Sequence, residues 1–236
     1  MLEDRGLATT VIGLVRPHME RSANPRGLFV PFPLGRPLGE PGDAAFQRRV
    51  LLGALRLLER ADGPVVLEDF TEDAPSQSPV PGWVPPFTPR LSEPTTPAAW
   101  AEALANEIAL ARPLWERARA RSGRSAVGVS FQPPEAWPGY AASFLAGDLP
   151  AAPDPLTSPA LGLRFLADDL RAFIAEAALA EGPMLPPDQI NTWLYRQTMT
   201  GRLLVALRNA AIASPNNGFK TMGSRFLVPT PWLPPA

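Results

Sequence analysis

The chain has 236 residues, a net charge of −1 and a pI of about 5.9, without the basic stripe that a nucleic-acid surface needs. It has no cysteine and a single histidine, His18, which excludes a disulfide, a cysteine nucleophile and a zinc site built from the usual several ligands. No apolar run approaches the roughly 18 residues of a membrane span, and the N-terminus MLEDRGLATTVIGL is acidic where a signal peptide is basic. The expectation is a cytoplasmic protein with no bound cofactor or metal and no membrane or nucleic-acid partner.

Residues 8–14 are short, β-branched and apolar, the pattern of a buried strand. The polar stretch that follows ends in Asn24-Pro25, a turn signal. Residues 27–32 predict a second buried strand. It runs into PFPLGRPLGEP, residues 31–41, with four prolines and two glycines. A helix is expected over 43–61 with Asp43 as N-cap. Its apolar stripe is Phe46, Val50, Ala54 and Leu57, widened by Leu51, Leu55 and Leu58. Gly63-Pro64 stops it, and Val65-Val66-Leu67 reads as a third strand. Strand, segment, strand, loop, helix, strand is the order of a parallel α/β sheet, here Rossmann-like and spanning residues 1–70. The apolar first strand, residues 8–14, also needs cover, either from residues 71–98 with Trp83 and Phe87 or from another chain.

Residues 71–98 are rich in Pro, Ser, Thr and Glu, and read as a linker or an arm docked through Trp83 and Phe87. Residues 99–236 read as mainly helical. Helices are expected over 97–121, 134–147, 158–179 (N-cap Ser158, Pro159 next) and 186–213, the last either one helix kinked at Gly201 or a broken pair. SAVGVSF, residues 125–131, predicts a strand. SPNNGFK, residues 214–220, predicts a helix stop and turn, and GSRFLVPTPWLPPA a terminal strand or extended arm.

Ligands of α/β sheets bind beyond the carboxyl ends of the strands, and the 31–41 loop leaves such an end. It is either a rigid connector or a wall of the main pocket. Arg36 within it is either solvated or a fork for a substrate carboxylate. His18 is a surface histidine or the proton carrier, a role that Glu68 or Asp69, at the end of the third strand, could fill instead. In DQINTWLYRQTMTGR, residues 188–202, polar groups alternate with aromatics. That suits a ligand cavity or a subunit interface.

One resemblance rests on the first third of the chain. GLATTVIGLVRP followed by PRGLFVPFPLGRPLGEPGDAAFQRRVLLGALRLLE resembles the carboxyl-terminal part of the selenoprotein B family of glycine, sarcosine, betaine and D-proline reductases. The matching positions are Gly6, Val11, Pro31, Pro33, Leu34, Gly35, Pro37, Arg48, Arg49, Ala54, Leu55 and Leu58, within about residues 3–70. The resemblance implies an α/β fold and reductive cleavage of a carbon–nitrogen bond by a selenocysteine or cysteine upstream of the matching region. With no such residue here, three expectations stand. The chain is a subunit whose partner carries the Sec/Cys redox centre, a product of an internal start site, or a descendant with a new role. On the first, His18 is the candidate catalytic residue. Pro33, Gly35, Arg36, Glu68 and Asp69 are the candidate contacts to a small-molecule substrate, in an oligomer. The competing expectation is a non-catalytic binding or scaffold subunit.

Overall fold

The computed structural model describes residues 2–73, 79–182 and 185–233. Residues 74–78 of the expected linker and 234–236 of the expected terminal strand lie outside them. The protein is mixed α/β and divides into two compact units, Met1–Pro79 and Val80–Ala236. Among the described residues no helix is long and apolar enough to cross a membrane.

The first unit is a three-stranded parallel sheet in the order β1 (Val11–Gly13), β2 (Arg26–Phe29), β3 (Val66–Asp69). β1 and β2 are shorter than their apolar runs. Val11, Gly27 and Leu67 stand abreast in the ladder, as do Ile12, Leu28 and Glu68. Side chains alternate between faces, so Ile12, Leu28 and Val66 share one face. There they meet Phe46, Val50, Ala54 and Leu57 of helix α2 (Ala44–Arg56, running into a 3-10 turn Leu57–Glu59). Asp43 caps α2 by accepting the Phe46 amide at 2.9 Å. The stripe does not widen as expected: Leu51, Leu52 and Leu55 are exposed, because a three-stranded sheet is too narrow to cover them. On the opposite face sits helix α1 (Arg16–Ser22). Its Met19 fills the space left by two glycines, since a Cβ on Gly13 or Gly27 would lie within 3 Å of Met19 atoms. β1 is an edge strand, with Val11 36% exposed.

Among the described residues the regular elements of the second unit are all helices: α3 (Pro97–Ser122), α4 (Trp137–Leu145), α5 (Pro159–Ala178), α6 (Pro187–Gln197), α7 (Met199–Ala213) and α8 (Asn217–Arg225). α5 is the central element and packs against the other five. Leu166, Leu170, Phe173, Ile174 and Ala177 along it are fully buried. Ser158 caps it through the Leu161 amide. α3 continues through Pro113 although an interior proline costs a helix about 3 kcal/mol. Leu104, Ile108 and Ala111 before it and Leu114, Trp115 and Ala118 after it are all buried, and that packing outweighs the lost hydrogen bond. Trp83 and Phe87 dock within this unit, edge-on to Trp193 at 5.8 and 5.3 Å.

Two expectations are corrected here and two are resolved. Residues 125–131 form turns, not a strand. The 186–213 stretch is the broken pair of the two alternatives: it breaks at Thr198, whose hydroxyl accepts the Gly201 amide and starts α7. Gly201 permits the close approach of the two helices, since a Cβ there would lie 2.2 Å from the Leu194 carbonyl oxygen. α7 stops at Ala213 and the chain bends at 214–215, as residues 214–220 predict, but a new helix follows at once: Asn216 caps α8, accepting from Gly218 and Phe219. The tail opens as the end of α8, and Thr230–Trp232 is a 3-10 turn.

Candidate functional site

β1, β2 and β3 are parallel, so their carboxyl ends lie along one edge of the sheet. α1 leaves the first, the proline loop the second, and Asp69 closes the third. His18, in the first turn of α1, and Pro33, Gly35, Arg36, Glu68 and Asp69 therefore all belong to that edge. Its ion pairs are mutual. The Arg16 Nε donates to both oxygens of Asp69 at 3.0 and 3.2 Å, and its Nη1 pairs with Glu20. The Asp69 contact, with Glu20 secondary, raises the Arg16 pKa. Glu68 pairs with Arg60. Arg49 forks onto Glu72 through Nε and Nη2, and holds that carboxyl below its usual range.

The loop is firmly built. The Arg36 amide donates to Pro33 and the Gly39 amide to Arg36, both at 3.0 Å. Gln47 of α2 donates to the Glu40 carbonyl at 2.8 Å. Gly39 has φ +85 and lies against Phe46, where a Cβ would come within 2.5 Å of the ring. No other residue type fits there. Gly35, with φ +88, faces open space. The Arg36 guanidinium pairs with Glu40 at 2.9 Å. His18 is exposed, and its ring has no hydrogen-bond or ion-pair partner among the described residues. Among the described residues, clefts of about 630, 210, 420 and 350 Å³ lie on the helical unit, and residues 31–41 line none of these. The loop is a braced connector at a sheet edge rather than the wall of one of these clefts.

Sequence reasoning missed three buried or half-buried carboxylates of the helical unit. Asp169 of α5 accepts from the amides of Gly128 (2.8 Å), Val129 (3.1 Å) and Ser130 (2.9 Å) and from the Ser130 hydroxyl. Glu176, two turns further along α5, accepts from the Trp115 indole, the Ser125 hydroxyl and the Ala126 amide. These bonds occupy the amides that a strand over 125–131 would need for a ladder. Glu107 of α3 accepts from the Met199 and Thr200 amides at 2.7 Å each and from the Thr200 hydroxyl, so it binds the positive N-terminal end of α7. A signal for all three exists. Glu107, Asp169 and Glu176 each stand on the apolar stripe of their helix, beside Ile108, Leu170 and Ala177. A charge placed there must find donors.

Glu107 also touches the 630 Å³ cleft, whose walls include Ser92, Glu102, Asn106 and Met199. Burial pushes its carboxyl above the ordinary 4.5, and the three hydrogen bonds only partly oppose this. An acid whose folded-state pKa is raised contributes stability that is full below the unfolded value and is lost as pH rises through the folded one. The free-energy gap between wild type and Glu107→Gln should therefore move against wild type as pH rises above about 4.5. Urea titrations from pH 4 upward check this, and a gap that does not change with pH would show that hydrogen bonding cancels burial.

The comparisons with known proteins are silent. No family model, no curated protein and no solved structure matches this chain.

Proposed function

We propose that the chain is one component of a reductase that cleaves a carbon–nitrogen bond in a small amino-acid-like substrate, of the kind the glycine, sarcosine, betaine and D-proline reductases act on. A second polypeptide supplies the redox selenocysteine or cysteine, since this one has none. The observation that carries the reading is where the resembling loop stands: residues 31–41 leave the carboxyl end of β2 in a parallel sheet, the usual ligand edge of such sheets. A Rossmann-like ancestry of the three strands belongs to the same reading. In it Arg36 exchanges Glu40 for the substrate carboxylate, Pro33 and Gly35 set the loop's backbone, and His18 moves the proton. Glu68 and Asp69, already paired with Arg60 and Arg16, hold the edge together.

The test starts from a complex purified from the native source and assayed with glycine, sarcosine, betaine and D-proline in the presence of a dithiol. A selenol- or thiol-bearing chain is expected in it. Arg36→Ala is expected to abolish turnover while Tm stays within about 4 °C of wild type, because a half-exposed ion pair contributes little. Turnover that survives Arg36→Ala would remove Arg36 from the site, and a complex without any selenol or thiol partner would end the reading.

One observation favours a non-catalytic assembly subunit instead. Arg16, Arg36, Arg49 and Arg60 are all spent on carboxylates of their own unit, while Val11 of edge strand β1 and Leu51, Leu52 and Leu55 of α2 stay exposed. That reading expects a stable complex with no turnover of any of the four substrates.

A further inference from the structure

The motif at residues 188–202 divides its side chains between two tasks. Trp193 is buried beneath Trp83 and Phe87, and Thr198 caps α7. Tyr195, Arg196 and Arg202 instead line a cleft of about 350 Å³ together with Trp100, Asn209 and Trp232, a size that suits a small ligand.

Three properties of this cleft define a ligand. Its walls are aromatic and held in place. Trp232 stacks on Tyr195 with ring centroids 5.8 Å apart and an interplanar angle of 22°, and its indole N–H donates to Thr192 at 3.3 Å. Tyr195 is itself buried. Little side-chain entropy is left to lose when a flat ring binds against them. The cleft carries two guanidiniums and one carboxylate, Glu93. Arg202 uses only Nη1 in its contacts, to the Ser92 carbonyl at 3.0 Å and to Glu93, so Nε and Nη2 remain as donors. Arg196 has no hydrogen-bond or ion-pair partner among the described residues, and all five of its N–H groups are available. The balance is one uncompensated positive charge beside an aromatic wall.

We propose that this cleft binds a small planar aromatic carboxylate, the ring against Trp232 and Trp100 and the carboxylate forked by Arg196 with help from Arg202. A monoanion matches the single surplus charge. A cationic ligand would find Glu93 already neutralised, and an aliphatic acid would leave the aromatic wall unused. The site lies wholly in the helical unit, so it stands or falls independently of the sheet-edge function.

The test is calorimetry and ligand-observed NMR on the full chain, with indole-3-acetate as the probe beside indole, acetate and tryptamine. Saturable binding of indole-3-acetate is expected, at least about tenfold tighter than that of the other three, as a charge-assisted fork predicts. Arg196→Gln should weaken it by about tenfold or more without moving Tm, while Arg117→Gln, outside the cleft, should leave it unchanged. Trp232→Leu should weaken indole-3-acetate and indole alike. Equal affinity for indole, tryptamine and indole-3-acetate, an Arg196→Gln variant that binds like wild type, or the absence of saturable binding would each overturn the proposal and return Arg196 to the role of a solvated cation.

Discussion

Asp169→Ala is expected to destabilise the helical unit by about 2–6 kcal/mol. Asp169 is fully buried, and its two oxygens receive four donors from residues 128–130. Alanine removes both oxygens. The buried Ser130 amide and hydroxyl then lose their acceptor, at about 1–3 kcal/mol each. For a chain of this size that corresponds to a fall in Tm of roughly 5–20 °C. Ser130→Ala, which removes one donor and leaves the carboxylate with three, should cost far less. Urea unfolding followed by circular dichroism separates the two. If Asp169→Ala unfolds within about 0.5 kcal/mol of wild type, the size of an ordinary surface change, the turn is anchored by something else.

Phe173→Ala should have an effect of similar size for a different reason. Phe173 is fully buried on α5, tilted against Trp115 at 5.1 Å and edge-on to Trp137 at 5.6 Å. Truncation leaves a cavity walled by two indoles and a helix core that cannot collapse around it, so about 3–5 kcal/mol is expected. Phe165 offers the contrast, because it has the same side chain on the same helix but is only half-buried. Phe165→Ala should cost less than half as much. Equal losses at the two positions would mean that α5 is not the centre of the unit.

Local patterns in the sequence were sufficient wherever a residue's partners are its near neighbours. The stripe Phe46, Val50, Ala54, Leu57 is buried as spaced, and Asp43 and Ser158 cap the helices they precede. The three strands are parallel and adjacent in chain order, and strand–helix alternation already implied this. The carboxyl-edge residues could be named from the same order, but not their condition. That Arg16 holds Asp69, or that Arg36 is occupied by Glu40, depends on side-chain placement that periodicity does not contain.

What the sequence determined by itself is therefore the α/β beginning, the helical remainder, and the chemistry excluded by one histidine and no cysteine. What only the tertiary structure decided is the fate of segments whose backbone groups bond far along the chain. Residues 125–131 have the composition of a strand, yet their amides meet carboxylates about 40 to 50 residues away on α5. The start of α7 is fixed by Glu107, more than 90 residues before it. Buried amides must find acceptors, and a strand ladder is only one way of supplying them. In this protein a carboxylate on the apolar face of a helix supplied them instead, and that choice was made by packing.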